Sequence, residues 1–251
     1  MAIKHVFAAL AALLPPSFVL AQTATTGSLR GSVVDAQGAP LAGAQVRYRS
    51  FAPSVAAGLR ATPAPGETIT NGLVSSNSDG SFMVTGLPPA TYTLCARVPA
   101  AAYLDSCVWG FGAGVTVSAG ATAAQTITLQ QGVYLNVRIN DPLHLLPQVI
   151  DGPWTARKLG VGVWYGNGAY RGVSNTSVDS AGRNYQLTIP ASTPFSLWLY
   201  STDIVLADPS GNVVTVAQAG AAPAASVSFQ ASPGVDQSFT FTVSGRANSA
   251  P

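Results

Sequence analysis

Short runs of alternating apolar and polar residues, each closed by a turn-forming cluster, constrain this chain more than any other feature. Leu29, Gly31 and Val33 alternate with Ser28, Arg30 and Ser32, the period-two pattern of a strand with one buried face. Asp35-Ala36-Gln37-Gly38 supplies turn residues, and Pro40 stops the ladder because it has no N–H to donate. Val46 and Tyr48 continue on a second strand. Asn77-Ser78-Asp79-Gly80 is a tight-turn signature: Asn and Asp bond their own backbone, and Gly accepts a positive φ. Phe82 and Val84 share one face of the next strand. Pro88-Pro89 then forces an extended entry into Tyr92, Leu94, Ala96 and Val98, again on one face. Short strands with turn signals roughly every 8–12 residues predict a sandwich or barrel.

Four of these segments stand in a fixed order. They are Gly27-Ser28-Leu29-Arg30-Gly31-Ser32-Val33-Val34-Asp35, Gly38-Ala39-Pro40-Leu41-Ala42-Gly43-Ala44-Gln45-Val46, Asn77-Ser78-Asp79-Gly80-Ser81-Phe82 and Gly86-Leu87-Pro88-Pro89-Ala90-Thr91-Tyr92-Thr93-Leu94. Together they resemble the carboxypeptidase regulatory-like domain, a small β-sandwich related to transthyretin and to the Cna-B modules of bacterial surface proteins. The resemblance covers residues 27–131. It implies an all-β, transthyretin-like Greek-key sandwich with a non-catalytic, accessory role.

The rest of the chain divides around this unit. Lys4, the apolar run 6–14 and the small-residue site Val19-Leu20-Ala21 predict a secretory signal peptide over residues 1–21, cut after Ala21. That run is far shorter than the ~20 residues that span a bilayer. Residues 52–67, rich in Pro, Ala and Gly, form an expected loop insertion between the second and third strands. Residues 132–246 are expected to form a second β-sandwich. Val133, Leu135, Val137 and Ile139 open it, and about eight strands are predicted, with later candidates at 161–165, 185–189, 195–200, 213–216, 227–229 and 239–243. Residues 247–251 are an expected flexible tail. Residues 78–85 and 180–188 echo one another as a turn, an aromatic, an apolar residue two on, and a threonine. Hairpins in general share that pattern.

Composition narrows the function classes. Only 9% of residues are charged while 47% are hydrophobic, which suits a sizeable core. Loss of Lys4 with the signal leaves the basic and acidic side chains nearly balanced, from 12 and 10 in the whole chain. Neither nucleic-acid binding nor electrostatic membrane binding is expected, because both need a concentrated basic patch. Cys95 and Cys107 predict a disulfide in an oxidising compartment, periplasmic or extracellular. Closing that loop removes on the order of 3 kcal/mol of freedom from the unfolded chain. The overall composition fits a bacterial exported protein.

Catalytic chemistry finds little purchase. A zinc carboxypeptidase needs histidine and glutamate ligands with a further glutamate as base, yet beyond the signal peptide His144 and Glu67 are the sole examples of each. No Gly-x-Ser-x-Gly elbow accompanies His144. Tyr170-Arg171-Gly172 is similar to part of the C-terminal tetrapeptide of transthyretin-related hydroxyisourate hydrolases, but it lies mid-chain and that family's catalytic histidines have no counterpart. Aspartates are spread along the chain, mostly in turn contexts, so a paired-carboxylate site stays the harder alternative to dismiss. No catalytic residue, metal or cofactor is expected.

Aromatic placement offers the best binding signal. In 195–200, Phe195, Leu197 and Leu199 share one face, and Trp198 and Tyr200 point the other way. In 161–165, Trp164 points opposite to Val161, Val163 and Tyr165, with Gly160 and Gly162 beside it. Trp164, Trp198 and Tyr200 are therefore the candidate ligand-binding residues on an outer face, suited to stacking on sugar rings; cover by a loop or the other domain is the competing arrangement. Trp109 is expected to pack over the disulfide loop. The expected role is an exported, non-enzymatic interaction module whose partner is a protein or a polysaccharide, with carbohydrate binding and membership of a cell-surface assembly as the two specific versions.

Overall fold

The computed structural model describes residues 24–51, 69–99, 101–110, 112–150, 159–166, 169–201, 204–214 and 227–246. The predicted signal peptide, the 52–67 insertion and the 247–251 tail lie outside these residues, as do positions 215 and 216 of one expected strand.

The first sandwich is built as its alternation dictates. Its strands are β1 (Gly27–Asp35), β2 (Gln45–Phe51), β3 (Asn71–Ser75), β4 (Ser81–Leu87), β5 (Ala90–Arg97), β6 (Ala113–Val117) and β7 (Thr122–Leu129). One sheet has the order β4-β1-β7, the other β3-β2-β5-β6. Leu29, Val33, Val46, Phe82, Tyr92, Leu94, Ala96, Ile127 and Leu129 fill the space between them. Asp35 Oδ1 accepts from the backbone N–H of Gln37 and Ala39, which closes the predicted turn.

The second sandwich comprises β8 (Val133–Asn140), β9 (Gly160–Tyr165), β10 (Ala169–Val173), β11 (Asn175–Asp179), β12 (Gly182–Ile189), β13 (Pro194–Tyr200), β14 (Ile204–Ala207), β15 (Val213–Val214), β16 (Val227–Gln230) and β17 (Gln237–Arg246). Seven of these ten strands lie at positions the sequence located. The other three are β10, β11 and β14, whose short or polar sequences carry little period-two signal. The sheets run β11-β12-β8-β17-β14-β15 and β10-β9-β13-β16.

The two sandwiches share one topology. β1 is antiparallel to β4 and parallel to β7; β8 is antiparallel to β12 and parallel to β17. The order β3-β2-β5-β6 returns as β10-β9-β13-β16, and β11, β14 and β15 widen the larger sheet. The sequence echo sits in register within this repeat. Phe82 pairs with Gly31 and Val84 with Leu29; Tyr185 pairs with Val137 and Leu187 with Leu135. Phe82 and Tyr185 are both buried.

A short segment joins the two cores. After β5 the chain turns into α1 (Ser106–Trp109), capped by Asp105, whose Oδ1 accepts from Cys107 N, and ended at Gly110 in the left-handed region. Three contacts fix this turn to the first sandwich. They are the Cys95–Cys107 disulfide, the Arg47–Asp105 ion pair at 2.8 Å, and the buried Ser106 hydroxyl on the backbone of Ala96. From that base, Leu104 and Trp109 enter the core of the second sandwich. Trp109 does not pack over the disulfide loop as expected. Its ring meets Tyr165 and Phe195 edge-on at 4.9 and 6.2 Å, and its Nε1–H donates to the Thr188 carbonyl. Arg171 adds a donation from Nε to the Val108 carbonyl.

The connection between sandwiches, residues 130–132, pairs with 102–104 through Leu104 N to Gln130 O and Gly132 N to Ala102 O. A Cβ at Gly132 would stand 2.5 Å from the Ile189 carbonyl oxygen and 2.8 Å from Leu104 Cδ2, so only glycine fits. Trp109→Ala is expected to destabilise the second sandwich by about 3–5 kcal/mol, measured by denaturant unfolding followed by near-ultraviolet circular dichroism. Trp109→Phe keeps ring contacts but loses the hydrogen bond to Thr188, and is expected to cost clearly less.

Candidate functional site

The outer face of β10-β9-β13-β16 brings the three predicted aromatic residues together and adds a fourth. Val161, Val163, Phe195, Leu197 and Leu199 face the core and are buried. Trp164, Trp198 and Tyr200 project from the opposite side, and Tyr170 on β10 joins them. Trp164 and Tyr170 are cross-strand partners with ring centroids 5.2 Å apart. Tyr170 meets Trp198 edge-on at 5.1 Å, and Trp198 stacks on Tyr200 at 5.4 Å.

Two glycines make this row possible. Gly160 and Gly162 occupy outward positions on β9, cross-strand from Tyr200 and Trp198. The Tyr170 ring lies across Gly162 so closely that a Cβ there would come within 2.4 Å of it. The four aromatic residues are half-buried, having sunk into the gap the glycines leave. Burial pushes the Tyr170 phenol up to about 12. The indole N–H groups of Trp164 and Trp198 are shielded and have no hydrogen-bond partner.

A groove of about 490 Å³ runs beside the row, lined by Trp164, Pro194, Ser196, Ser228, Phe229 and Gln230 among others. Its floor follows one cross-strand line, Trp164 to Ser196 to Ser228. The two serine hydroxyls stand 3.5 Å apart. An indole wall above converging hydroxyl and amide groups is the usual construction of a small-ligand site. Sequence reasoning missed Tyr170, Ser196 and Ser228. The turn at Gly166 followed by 169–173 is the signal that β10 returns beside Trp164, whereas the serines have meaning only once register is known.

The aspartates among the described residues are committed to structure. Asp35, Asp79, Asp105, Asp141, Asp179, Asp208 and Asp236 each accept at least one backbone N–H. Bonds from the Arg138 guanidinium, then from Ala181, hold the Asp179 carboxyl down at about 2. Hydrogen bonds from Ser81 lower Asp79, and those from Asn212 lower Asp208. Carboxylates held ionised this way are the reverse of a general acid, which needs a raised value. His144 is exposed at φ 51 in a turn whose carboxylate, Asp141, bonds Leu145 and Leu146 N–H groups. Among the described residues no group of three or more His, Cys, Asp and Glu side chains could hold a metal ion, and no helix is long and apolar enough to cross a membrane.

Tyr170 supplies a direct check on this packing. Its folded value lies above the ordinary 10 of a tyrosine. Its burial therefore favours the folded state fully below pH 10, and that contribution is lost as pH rises toward 12. Ultraviolet titration of tyrosinate is expected to show a late step near pH 12 that Tyr170→Phe removes. Gly162→Val is expected to evict the ring and abolish the same step.

Residues 28–130 match the carboxypeptidase regulatory-like domain family, so the first sandwich is such a domain. No curated protein matches the chain. Among solved structures, the Bacillus anthracis TIE protein aligns at 14% identity with a TM-score of 0.32, over 87% of this chain and 34% of that one. A streptococcal ancillary pilin aligns at 16% identity with a TM-score of 0.40, over 87% of this chain and 62% of that one. The shaft pilin SpaA from Lactobacillus rhamnosus GG aligns at 12% identity with a TM-score of 0.32, over 88% of this chain and 99% of that one. The chain thus spans about a third of the first protein and under two thirds of the second.

Proposed function

We propose that this protein is an exported, non-catalytic binding module, and that the outer face of β10-β9-β13-β16 takes a polysaccharide. The observation that carries the reading is the continuous line from the Trp164 indole across the Ser196 and Ser228 hydroxyls, with Gln230 at its edge. Sugar rings combine an apolar C–H face with a rim of hydroxyls, and an indole beside hydroxyl and amide groups is complementary to both. Secretion is consistent with the disulfide and with the signal expected at residues 1–21.

The test is retention of the purified, oxidised protein on insoluble and soluble neutral polysaccharides, wild type beside Trp164→Ala and Trp198→Ala. Retention on at least one polymer is expected. Each substitution should weaken it by about tenfold or more, equivalent to about 1.4 kcal/mol, without loss of the β-sheet circular dichroism. Absence of retention on every polymer would reject the glycan reading and leave a protein partner, as in a surface assembly, to be sought by co-purification.

A further inference from the structure

The first sandwich carries a second face of different chemistry, independent of the aromatic row. Along β2, Arg47 and Arg49 project outward between the inward Val46, Tyr48 and Ser50. Arg97 stands exposed at the end of β5, cross-strand from Gln45. In a chain with only 9% charged residues, three guanidinium groups on one sheet face are a marked concentration. Asp105 is the one carboxylate bonded to them among the described residues, through Arg47 Nη2 to Oδ2 at 2.8 Å. Arg97 Nε donates to Gln45 Oε1. Arg49, cross-strand from Thr93 and Asn71, stays exposed. Beside Arg47 and Arg49 opens a groove of about 550 Å³, walled also by Asn71, Leu73, Thr93 and the Cys95–Cys107 disulfide; Arg97 lies outside it, in a neighbouring groove that Arg47 shares. Leu73 is 56% exposed there.

We propose that this face binds a carboxylate-bearing polysaccharide that runs along the groove and reaches Arg97. Asp105 already displays the recognition chemistry, a carboxylate seated on the Arg47 guanidinium. Arg49 and Arg97 offer the same forked donors to carboxylates from outside. Arg97 is cross-strand from Gln45, four residues from Arg49, which puts the two arginines about 14 Å apart, so they meet negative groups repeated along a polymer better than one small anion. The Asn71 amide and Thr93 hydroxyl suit sugar hydroxyls, while Leu73 and the disulfide present an apolar wall to a ring face. Three arginines are too small a basic footprint for nucleic acid.

Affinity electrophoresis of the full chain tests this, with polygalacturonate, neutral dextran or inorganic polyphosphate cast in the gel at low and high ionic strength. Polygalacturonate is expected to retard the protein at low salt, with the effect screened at high salt, and dextran is expected to do much less. The double variant Arg49→Gln/Arg97→Gln should lose about tenfold or more in affinity at unchanged melting temperature. Trp164→Ala should keep the salt-dependent retardation, which separates this face from the aromatic one. No retardation by polygalacturonate, undiminished retardation of the double variant, or retardation by polyphosphate alone would each overturn the proposal.

Discussion

The insertion of Trp109 into the second core, from a turn riveted to the first sandwich, sets the arrangement of everything else. Interfaces between consecutive domains are ordinarily modest and rather polar. Here Leu104 and Trp109 belong to the first sandwich by attachment and to the second by burial. The attachment is redundant: a disulfide, an ion pair and a buried hydroxyl all act within three residues, Asp105 to Cys107. The disulfide restricts the loop chiefly in the unfolded chain, so it favours the turn that presents Trp109 before any contact with the second sandwich forms. Close approach at Gly132 completes the joint from the other side. The two cores remain separate, and this one segment anchored on the first sandwich is built into the second.

Both sandwiches solve the same packing problem with the same strand order, which separates what the fold demands from what it leaves free. Inward pairs correspond: Val46 with Ala96 and Tyr48 with Leu94 in one sheet, Val161 with Leu199 and Val163 with Leu197 in the other. Outward pairs at the matching places diverge completely. Arg47 faces Cys95 where Gly162 faces Trp198, and Arg49 faces Thr93 where Trp164 faces Ser196. Burial fixes the first set through hydrophobic transfer and close packing. The second set bears no such constraint, so it is where the two sandwiches differ in chemistry.

The first sandwich was legible because its strands have one buried face and end at Asp, Asn, Gly and Pro turns, which local sequence records directly. The outward row of Trp164, Trp198 and Tyr200 was legible by the same alternation. The rest failed for identifiable reasons. β11 is an edge strand of Asn, Thr, Ser, Val and Asp, and an exposed edge imposes no apolar period. β10 alternates poorly through Tyr170-Arg171-Gly172, so local sequence does not place Tyr170 in the aromatic row it completes. Trp109 was misassigned because its hydrogen-bond partner, Thr188, lies 79 residues away and no local pattern encodes that contact. The echo between 78–85 and 180–188 was visible, but only register shows that its two halves occupy equivalent strands.

The scarcity of charge gives these outer faces their meaning. A chain with few ionisable groups has little material for both turns and chemistry, and the described aspartates are all committed to backbone N–H groups. Asp179, held near 2 by Arg138, illustrates the bias toward fixed anions over groups poised to exchange protons near neutrality. With the carboxylates so occupied, the polar and aromatic side chains on the outward sheet faces are indoles, hydroxyls, amides and guanidinium groups. They collect on the outward sides of the two four-stranded sheets, where β-pleating alone determines which residues can meet. The joint at Trp109 ties together the two sandwiches that carry these faces.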